Sequence, residues 1–222
     1  MHKYNEHYEC LISEGYKFIP NESLLGLLDL YKSNFQGDLQ VISYLEIGCG
    51  LGIHVNSKDS DWEVEGLELS KSAADHLCKA TGCHIYHCDF LEFKPSKSWD
   101  LILDSHLLHC TIGIESFKEF FKNVFNILKH GGSFLLEVMC ESKEMSFEDN
   151  QFFDDETHIL YQDNYAFRTI LPSRIVEELI IESGLKIVYL RVDEIIKFIP
   201  NSHRSESRPT DPDRMRVICL KE

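Results

Sequence analysis

Three glycines at alternate positions, Gly48, Gly50 and Gly52, end the segment Leu45-Glu46-Ile47-Gly48-Cys49-Gly50-Leu51-Gly52. Without a Cβ, such a stretch can turn tightly and let a ligand reach main-chain atoms. A dinucleotide site spaces its glycines G-x-G-x-x-G, so that a helix N-terminus meets the pyrophosphate. Here the spacing is G-x-G-x-G, and Ile53 stands where the third glycine of that pattern would fall. Glu46 precedes the first glycine by two residues, and a carboxylate there suits a cationic ligand better than a diphosphate. A second concentration of reactive side chains is Asp104-Ser105-His106-Leu107-Leu108-His109-Cys110. His106 can act as a general base, or His106, His109 and Cys110 can hold a metal or a soft element. The two histidines can also simply line a pocket. No second Cys/His pair has the spacing to complete a metal site, so none is assigned.

Groups this far apart in sequence need a scaffold, and the apolar pattern alternates between helix and strand. Residues 22–32 carry Leu24, Leu25, Leu27, Leu28 and Tyr31 as a helical stripe after Pro20-Asn21. Val41–Ile47 reads as a buried strand ending in the glycines, and Trp62–Leu69 as a second. Ser70 offers an N-cap to a helix whose face is Ala73, Ala74, Leu77 and Cys78. His84–Cys88 and Asp100–Leu103 are the third and fourth strands. Phe117, Phe120, Phe121, Val124, Phe125 and Leu128 recur at helical spacing, with Lys129-His130-Gly131-Gly132 to close that helix. Ser133–Met139 is a fifth strand. Residues 141–157, acidic and poorly patterned, are expected to form a helix or lid. Ser173–Ser183 reads as a helix closed by Gly184, and Leu185–Val192 and Arg216–Leu220 as the last strands. Residues 200–214, with three prolines and many charges, are expected to be a mobile loop. Repeated strand–helix alternation implies an α/β, doubly wound, mostly parallel seven-stranded sheet with helices on both faces.

The glycine segment resembles the first motif, E/D-x-G-x-G-x-G, of the class I S-adenosylmethionine-dependent methyltransferase family. That family's cofactor carries a sulfonium and an α-ammonium, in keeping with the carboxylate of Glu46. The resemblance continues in order through residues 41–140. Gly66-Leu67-Glu68-Leu69-Ser70 is similar to the acidic end of the family's second strand, which implies that Glu68 takes both ribose hydroxyls on its two oxygens. Cys88-Asp89-Phe90 is similar to the third-strand motif, implying Asp89 at the adenine amino group and Phe90 against the ring. Asp100 to His106 is similar to the fourth strand and the loop beneath the transferable methyl, which brings Asp104 and Ser105 to the cofactor. Leu128-Lys129-His130-Gly131-Gly132 is close to the usual L-K-P-G-G, with His130 in place of proline.

This resemblance implies a Rossmann-like fold with an antiparallel last strand and S-adenosyl-L-methionine as cofactor, giving S-adenosyl-L-homocysteine. Its implied contacts are Glu46, Gly48, Cys49, Gly50, Gly52, Glu68, Leu69, Asp89, Phe90, Asp104 and Ser105. The implied reaction is methyl transfer to an O, N or S nucleophile of a small-molecule acceptor. His106 and His109 are the catalytic candidates, since open parallel sheets place ligands at their strands' carboxyl ends. The chain reads as one domain: a helical cap over 1–40, a cofactor-binding core over 41–140, an acceptor-side insertion or lid over 141–172, and a closing helix and strands. Tyr4, His7, Tyr8, Tyr16 and Lys17, together with Phe152, Phe153, Tyr161, Tyr165 and Arg168, are candidates to cover the acceptor, or to be packing.

Composition narrows the partners. A net charge of −15, from 37 acidic and 22 basic residues, repels nucleic acid and anionic membrane surfaces. Asp104-Ser105-His106-Leu107 also stands where amino-methylating nucleic-acid enzymes carry Asn/Asp-Pro-Pro-Tyr. No apolar run approaches the roughly 20 residues that cross a bilayer. The eight cysteines are scattered and form no CxxC, which suits a reduced cytoplasmic protein. Three other functions stay open: a protein methyltransferase, a non-enzymatic adenosylmethionine or adenosylhomocysteine binder, and a nicotinamide-dependent oxidoreductase.

Overall fold

The computed structural model describes residues 2–37, 42–55, 61–199, 204 and 206–222, without the side chains of residues 2–4. Val41, within the first expected strand, and the side chain of Tyr4, one of the N-terminal aromatics, fall outside that description. The elements run α1 (His2–Ser13), α2 (Glu22–Asn34), β1 (Ser43–Ile47), β2 (Glu63–Glu68), α3 (Lys71–Thr81), β3 (His84–His87) and β4 (Trp99–Asp104). Then follow α4 (Ile114–Ile127), β5 (Leu128–Cys140), β6 (Gln151–Asp154), β7 (Ile159–Gln162), β8 (Tyr165–Thr169), α5 (Ser173–Glu182), β9 (Lys186–Asp193) and β10 (Asp213–Leu220). Among the described residues no helix is long and apolar enough to cross a membrane.

Seven strands form one sheet in the order β3-β2-β1-β4-β5-β10-β9. The first five are parallel, and β10 runs antiparallel between β5 and β9. The alternation of side chains along each strand sorts the core into two layers. Leu45, Ile47, Ile102, Phe134, Leu136 and Val217 meet α4 and α5, through Phe117, Phe120, Phe121, Val176 and Ile180. Tyr44, Leu101, Leu103, Leu135 and Ile218 point the other way, onto Leu24, Leu27, Leu28 and Tyr31 of α2. Asn21 caps α2 through its side-chain oxygen, which accepts from the Ser23 and Leu24 amides at 2.9 and 3.2 Å. Ser70 caps α3 as its sequence position predicts, and Gly82 ends that helix at φ +76°.

Three expectations are corrected. Lys129 and Gly131-Gly132 do not cap α4, because the helix stops at Ile127 and the backbone is already extended at Leu128. The freed helix carbonyls are met from the other end of the chain: Lys221 Nζ donates to the Phe125 and Leu128 oxygens at 2.7 and 2.8 Å. Lys129 instead pairs with Asp100 at 2.8 Å.

Residues 141–157 hold no helix, since Gln151–Asp154 opens a separate antiparallel sheet, β6-β7-β8. Its β7–β8 turn places Asp163 and Asn164 at φ +51° and +63°. Two successive left-handed residues match the right-handed twist of a hairpin, and Asp and Asn tolerate that conformation. Leu160 and Ile170 then bury against Met139 of β5 and Phe198.

Of the expected mobile loop over 200–214, residues 200–203 and 205 lie outside the described residues. The remainder is tied down. Asp211, fully buried, takes two bonds from the Arg204 guanidinium and one from the Arg208 amide. Phe198 N–H donates to the Pro212 oxygen at 2.8 Å.

Candidate active site

Five parallel strands end on one side of the sheet, and the loops there gather the residues singled out by type and spacing. Gly48 follows β1 at φ +70°, and a Cβ on it would stand 2.8 Å from the Leu107 Cβ. Only glycine lets the β1 and β4 loops approach that closely. Gly50, at φ +53°, lies under the Tyr8 hydroxyl of α1, and the Phe18 ring rests directly on Gly52. The N-terminal segment therefore covers the glycine turn. Asn5 extends that contact, accepting from the Ser70 hydroxyl at 2.9 Å and the Ser72 amide at 3.2 Å. Cys49 is buried beneath the same turn, its amide bonded to the Leu67 oxygen at 3.2 Å.

Glu46 is fully buried and its donors are all protein groups. The Tyr44 hydroxyl reaches it at 2.6 Å, the His54 amide at 2.9 Å and His54 Nδ1 at 2.8 Å. His54 Nε2 accepts from the Asn21 amide at 3.0 Å, which leaves Nδ1 as the protonated nitrogen. Glu46 thereby ties β1, the glycine turn and the start of α2 together.

Glu68 ends β2, and one of its oxygens takes the Gly50 amide at 2.9 Å while the other takes the Ser70 amide at 2.7 Å. Burial pushes its carboxyl above the ordinary range, against the pull of the Ser70, Gly50 and Leu69 amides. A carboxylate has about four lone-pair sites, so acceptor capacity remains for a ribose hydroxyl. Leu69, half-buried, follows it. Asp89 is exposed and caps the short turn Phe90–Glu92 by accepting from the Leu91 amide at 2.9 Å. Phe90 departs from the sequence expectation. Its ring is 2% exposed and packs on Phe120 with centroids 4.7 Å apart, so the core covers the face offered to adenine.

Asp104 is fully buried at the end of β4, accepting from the Leu107 and Leu108 amides at 2.8 and 3.3 Å. Its pKa is raised to about 7 by burial first, with the Glu46 and Glu137 charges adding to it against those two amides. The folded-state value then lies above that of an unfolded chain, about 3.9. Stability from this group is fully present below the unfolded value and is lost as pH rises toward about 7. Asp104→Asn should remove that loss. In urea titrations the variant should gain on the parent, by on the order of a few kcal/mol, between pH ~4 and ~7. A constant difference over that span would mean that Asp104 is ionised throughout.

Ser105 donates its amide to the Ile47 oxygen at 2.9 Å, holding the β4 loop beside the glycine turn. His106 follows at φ +67°, a left-handed conformation costly for a residue with a Cβ. Its Nε2 lies 3.0 Å from Glu137 Oε1. Glu137, fully buried on β5, also contacts the Ser23 hydroxyl and has Arg214 Nη1 at 3.5 Å. Burial pushes its carboxyl up, but His106, Arg214 and Ser23 together outweigh that and hold it below the usual range. His109 is buried, and burial, then Arg168 and His106, drive its pKa well below the ordinary value. Its Nδ1 has no hydrogen-bond partner. The Phe198 ring packs against both histidines, edge-on at 4.9 and 5.0 Å, and their own rings are 6.0 Å apart. Among the described residues, no three His, Cys, Asp or Glu side chains converge to hold a metal.

Glu137, Phe198 and Arg214 are absent from the sequence reading. Glu137 had a local signal, a lone carboxylate inside the apolar run Phe134 to Met139. Of the expected cover, Tyr8 and Arg168 reach the site, whereas Phe152 and Tyr165 are 66% and 65% exposed.

A family model described as a methyltransferase domain matches residues 4–174. The chain belongs to that family. It is an S-adenosylmethionine-dependent methyltransferase, and S-adenosylmethionine is its cofactor. No curated protein matches its sequence. The methyltransferase CcbJ of Streptomyces caelestis shares the fold at a TM-score of 0.64 and 14% identity, with 91% of each chain covered. The N-methyltransferase NodS of Bradyrhizobium japonicum, solved with S-adenosylhomocysteine, has a TM-score of 0.58 at 17% identity, over 90% of this chain and 86% of that one. The 1,6-didemethyltoxoflavin-N1-methyltransferase of Burkholderia thailandensis, solved with its substrate and S-adenosylhomocysteine, has a TM-score of 0.63 at 12% identity, over 89% and 77%. These likenesses describe the methyltransferase fold; the acceptor has to be argued from the side chains.

Proposed function

We propose that this methyltransferase acts on a small molecule held between the β4–β5 ends and the β6-β7-β8 sheet, with His106 as its general base. The observation that carries the reading is the His106–Glu137 pair, a buried carboxylate fixing a partly exposed imidazole in a left-handed loop. Two of the solved neighbours, NodS and the toxoflavin enzyme, are N-methyltransferases, and the latter holds a small heterocycle. The charge of −15 disfavours a polyanionic acceptor.

The glycines at 48, 50 and 52, with Cys49, Leu69 and Ser105, form the turn in which the donor would lie. Glu68 would take its ribose and Asp89 its adenine amino group, while Glu46, Asp104 and buried Phe90 hold the surrounding loops in shape. When bound, the cofactor supplies a methyl on a cationic sulfur, already activated for in-line displacement. The protein's part is alignment and exclusion of water. Glu137 accepts the Nε2 proton of His106, which leaves Nδ1 with a lone pair for the acceptor's proton. Once protonated, the imidazolium is stabilised by the same carboxylate. His109, kept neutral by burial, lines the pocket beside it.

We place residues 1–222 in one catalytic unit, with the N-terminal helices over the donor and residues 141–172 over the acceptor. The eight cysteines are all unbridged, which suits a reducing cytoplasm. The test is an acceptor screen read by S-adenosylhomocysteine release. On any acceptor found, His106→Gln should lower turnover by about 10²- to 10⁴-fold. Its affinity for S-adenosylmethionine, measured by calorimetry, should stay within about twofold of the parent, well under the tenfold that 1.4 kcal/mol represents. A variant that loses cofactor binding would put His106 against the donor instead.

A further inference from the structure

Arg168 stands apart from the other arginines of this acidic protein. Arg174, Arg191, Arg204, Arg208, Arg214 and Arg216 each have a carboxylate within 3.5 Å. Among the described residues, Arg168 has none at ion-pair distance. Its guanidinium bonds only the Cys110 sulfur, and its Nε is buried without a partner. A buried Nε alone is not diagnostic, since Arg204, Arg214 and Arg216 share it. The missing carboxylate is the distinguishing feature.

The position is fixed by the fold. Thr169, next to Arg168 on β8, accepts from the Gly113 amide and donates to the Thr111 oxygen, both at 2.8 Å. That clamp docks β8 on the loop that carries His106, His109 and Cys110. Phe167 stacks under the guanidinium, its centroid 4.4 Å away. His109, 2% exposed, offers a second unpartnered nitrogen in the same neighbourhood.

Resting on the function proposed above, we infer that the methyl acceptor is a carboxylic acid, anchored by its carboxylate on Arg168 while its nucleophile faces His106. A guanidinium fork matches a carboxylate in plane and in hydrogen-bond count. One arginine charge balances a monoanion. A phosphate dianion would bring a second negative charge toward buried Glu137 and Asp104. The carboxylate is the anchor and not the methylated atom, because pairing with the guanidinium draws off its nucleophilic electron density. The residues at 106–110 and 168 thus form a two-ended site, a fixed cation at one end and a base at the other.

The test needs no acceptor. The full-length protein loaded with S-adenosylhomocysteine is titrated with formate, too small to be excluded on shape, and with benzoate. The readout is the Arg168 Nε–H resonance in nitrogen-15 NMR, assigned by its loss in Arg168→Lys. Formate and benzoate should shift it saturably with dissociation constants of about 1–10 mM. Benzamide, the neutral match to benzoate, should leave it in place, and inorganic phosphate should bind more weakly than benzoate. Arg168→Gln should abolish benzoate binding seen by ligand NMR while its thermal midpoint and S-adenosylhomocysteine affinity hold. Arg168→Lys should keep part of the binding should the glutamine variant unfold. No shift up to about 100 mM formate, an equal response to benzamide, or tighter phosphate binding would each overturn the assignment. Failure of S-adenosylhomocysteine to bind would instead strike the function on which it rests, leaving the formate response to stand by itself.

Discussion

Replacing Glu68 by alanine should weaken S-adenosylmethionine binding by about a hundredfold or more, read by calorimetry. A hydrogen bond to a charged group contributes about 1.5–3 kcal/mol, and a ribose diol makes two, so about 3 kcal/mol is the lower expectation. The same carboxylate holds the Gly50 and Ser70 amides, so its loss also unpins the glycine turn. Glu68→Gln separates the two contributions, since it keeps one accepting oxygen and should fall between alanine and parent. The circular dichroism spectrum should be unchanged in both. Unaltered affinity in the alanine variant would place the ribose elsewhere.

The second large effect is on stability. Glu137→Leu leaves Arg214 and His106 without their shared carboxylate, in a place where Glu137 itself has no solvent contact. Removing one member of a buried charged pair costs about 3–5 kcal/mol, because the other charge stays desolvated. Urea unfolding should show that drop, and turnover should fall at least as far as in His106→Gln. The two substitutions should combine with less than additive loss in activity if they act as one unit. A Glu137→Leu protein as stable as the parent would show that Arg214 reaches solvent freely.

The parallel half of the sheet was legible because each of its strands is a short apolar run bounded by glycine, serine or aspartate. Ser70 announced α3 through a local bond, and local bonds can be read from neighbours in sequence. The β6-β7-β8 sheet was missed because its strands are four or five residues long and half-polar, too short for periodicity to outweigh their acidic surroundings. Asp163-Asn164 was the readable sign there, a dipeptide suited to two successive left-handed residues.

At the site, motif order pointed to Glu68 and Asp104, and both end their strands, buried, beside the glycine turn. Phe90 was placed on the ligand side, whereas the strand's end turns its ring into the α4 layer against Phe120. The Glu137–Arg214 pair joins residues 77 positions apart through an antiparallel register that no local pattern encodes. Lys221 closing α4 is long-range in the same way, which is why Lys129 looked like the natural candidate.

The place of β10 bears on how the chain is made. It pairs with β5 over Asp213–Leu220 and Ser133–Cys140, and with β9 on its other side, so the central sheet waits for residues near the C-terminus. While a ribosome is still adding residues 141–212, β5 presents an open edge of unpaired amides and carbonyls, with Glu137 on it and Arg214 not yet made. An unpaired apolar edge is a template for another chain. Synthesis at about 5–20 residues per second would leave that edge open for several seconds. Folding yield should therefore be most sensitive to changes in the final strand, including changes far from any ligand.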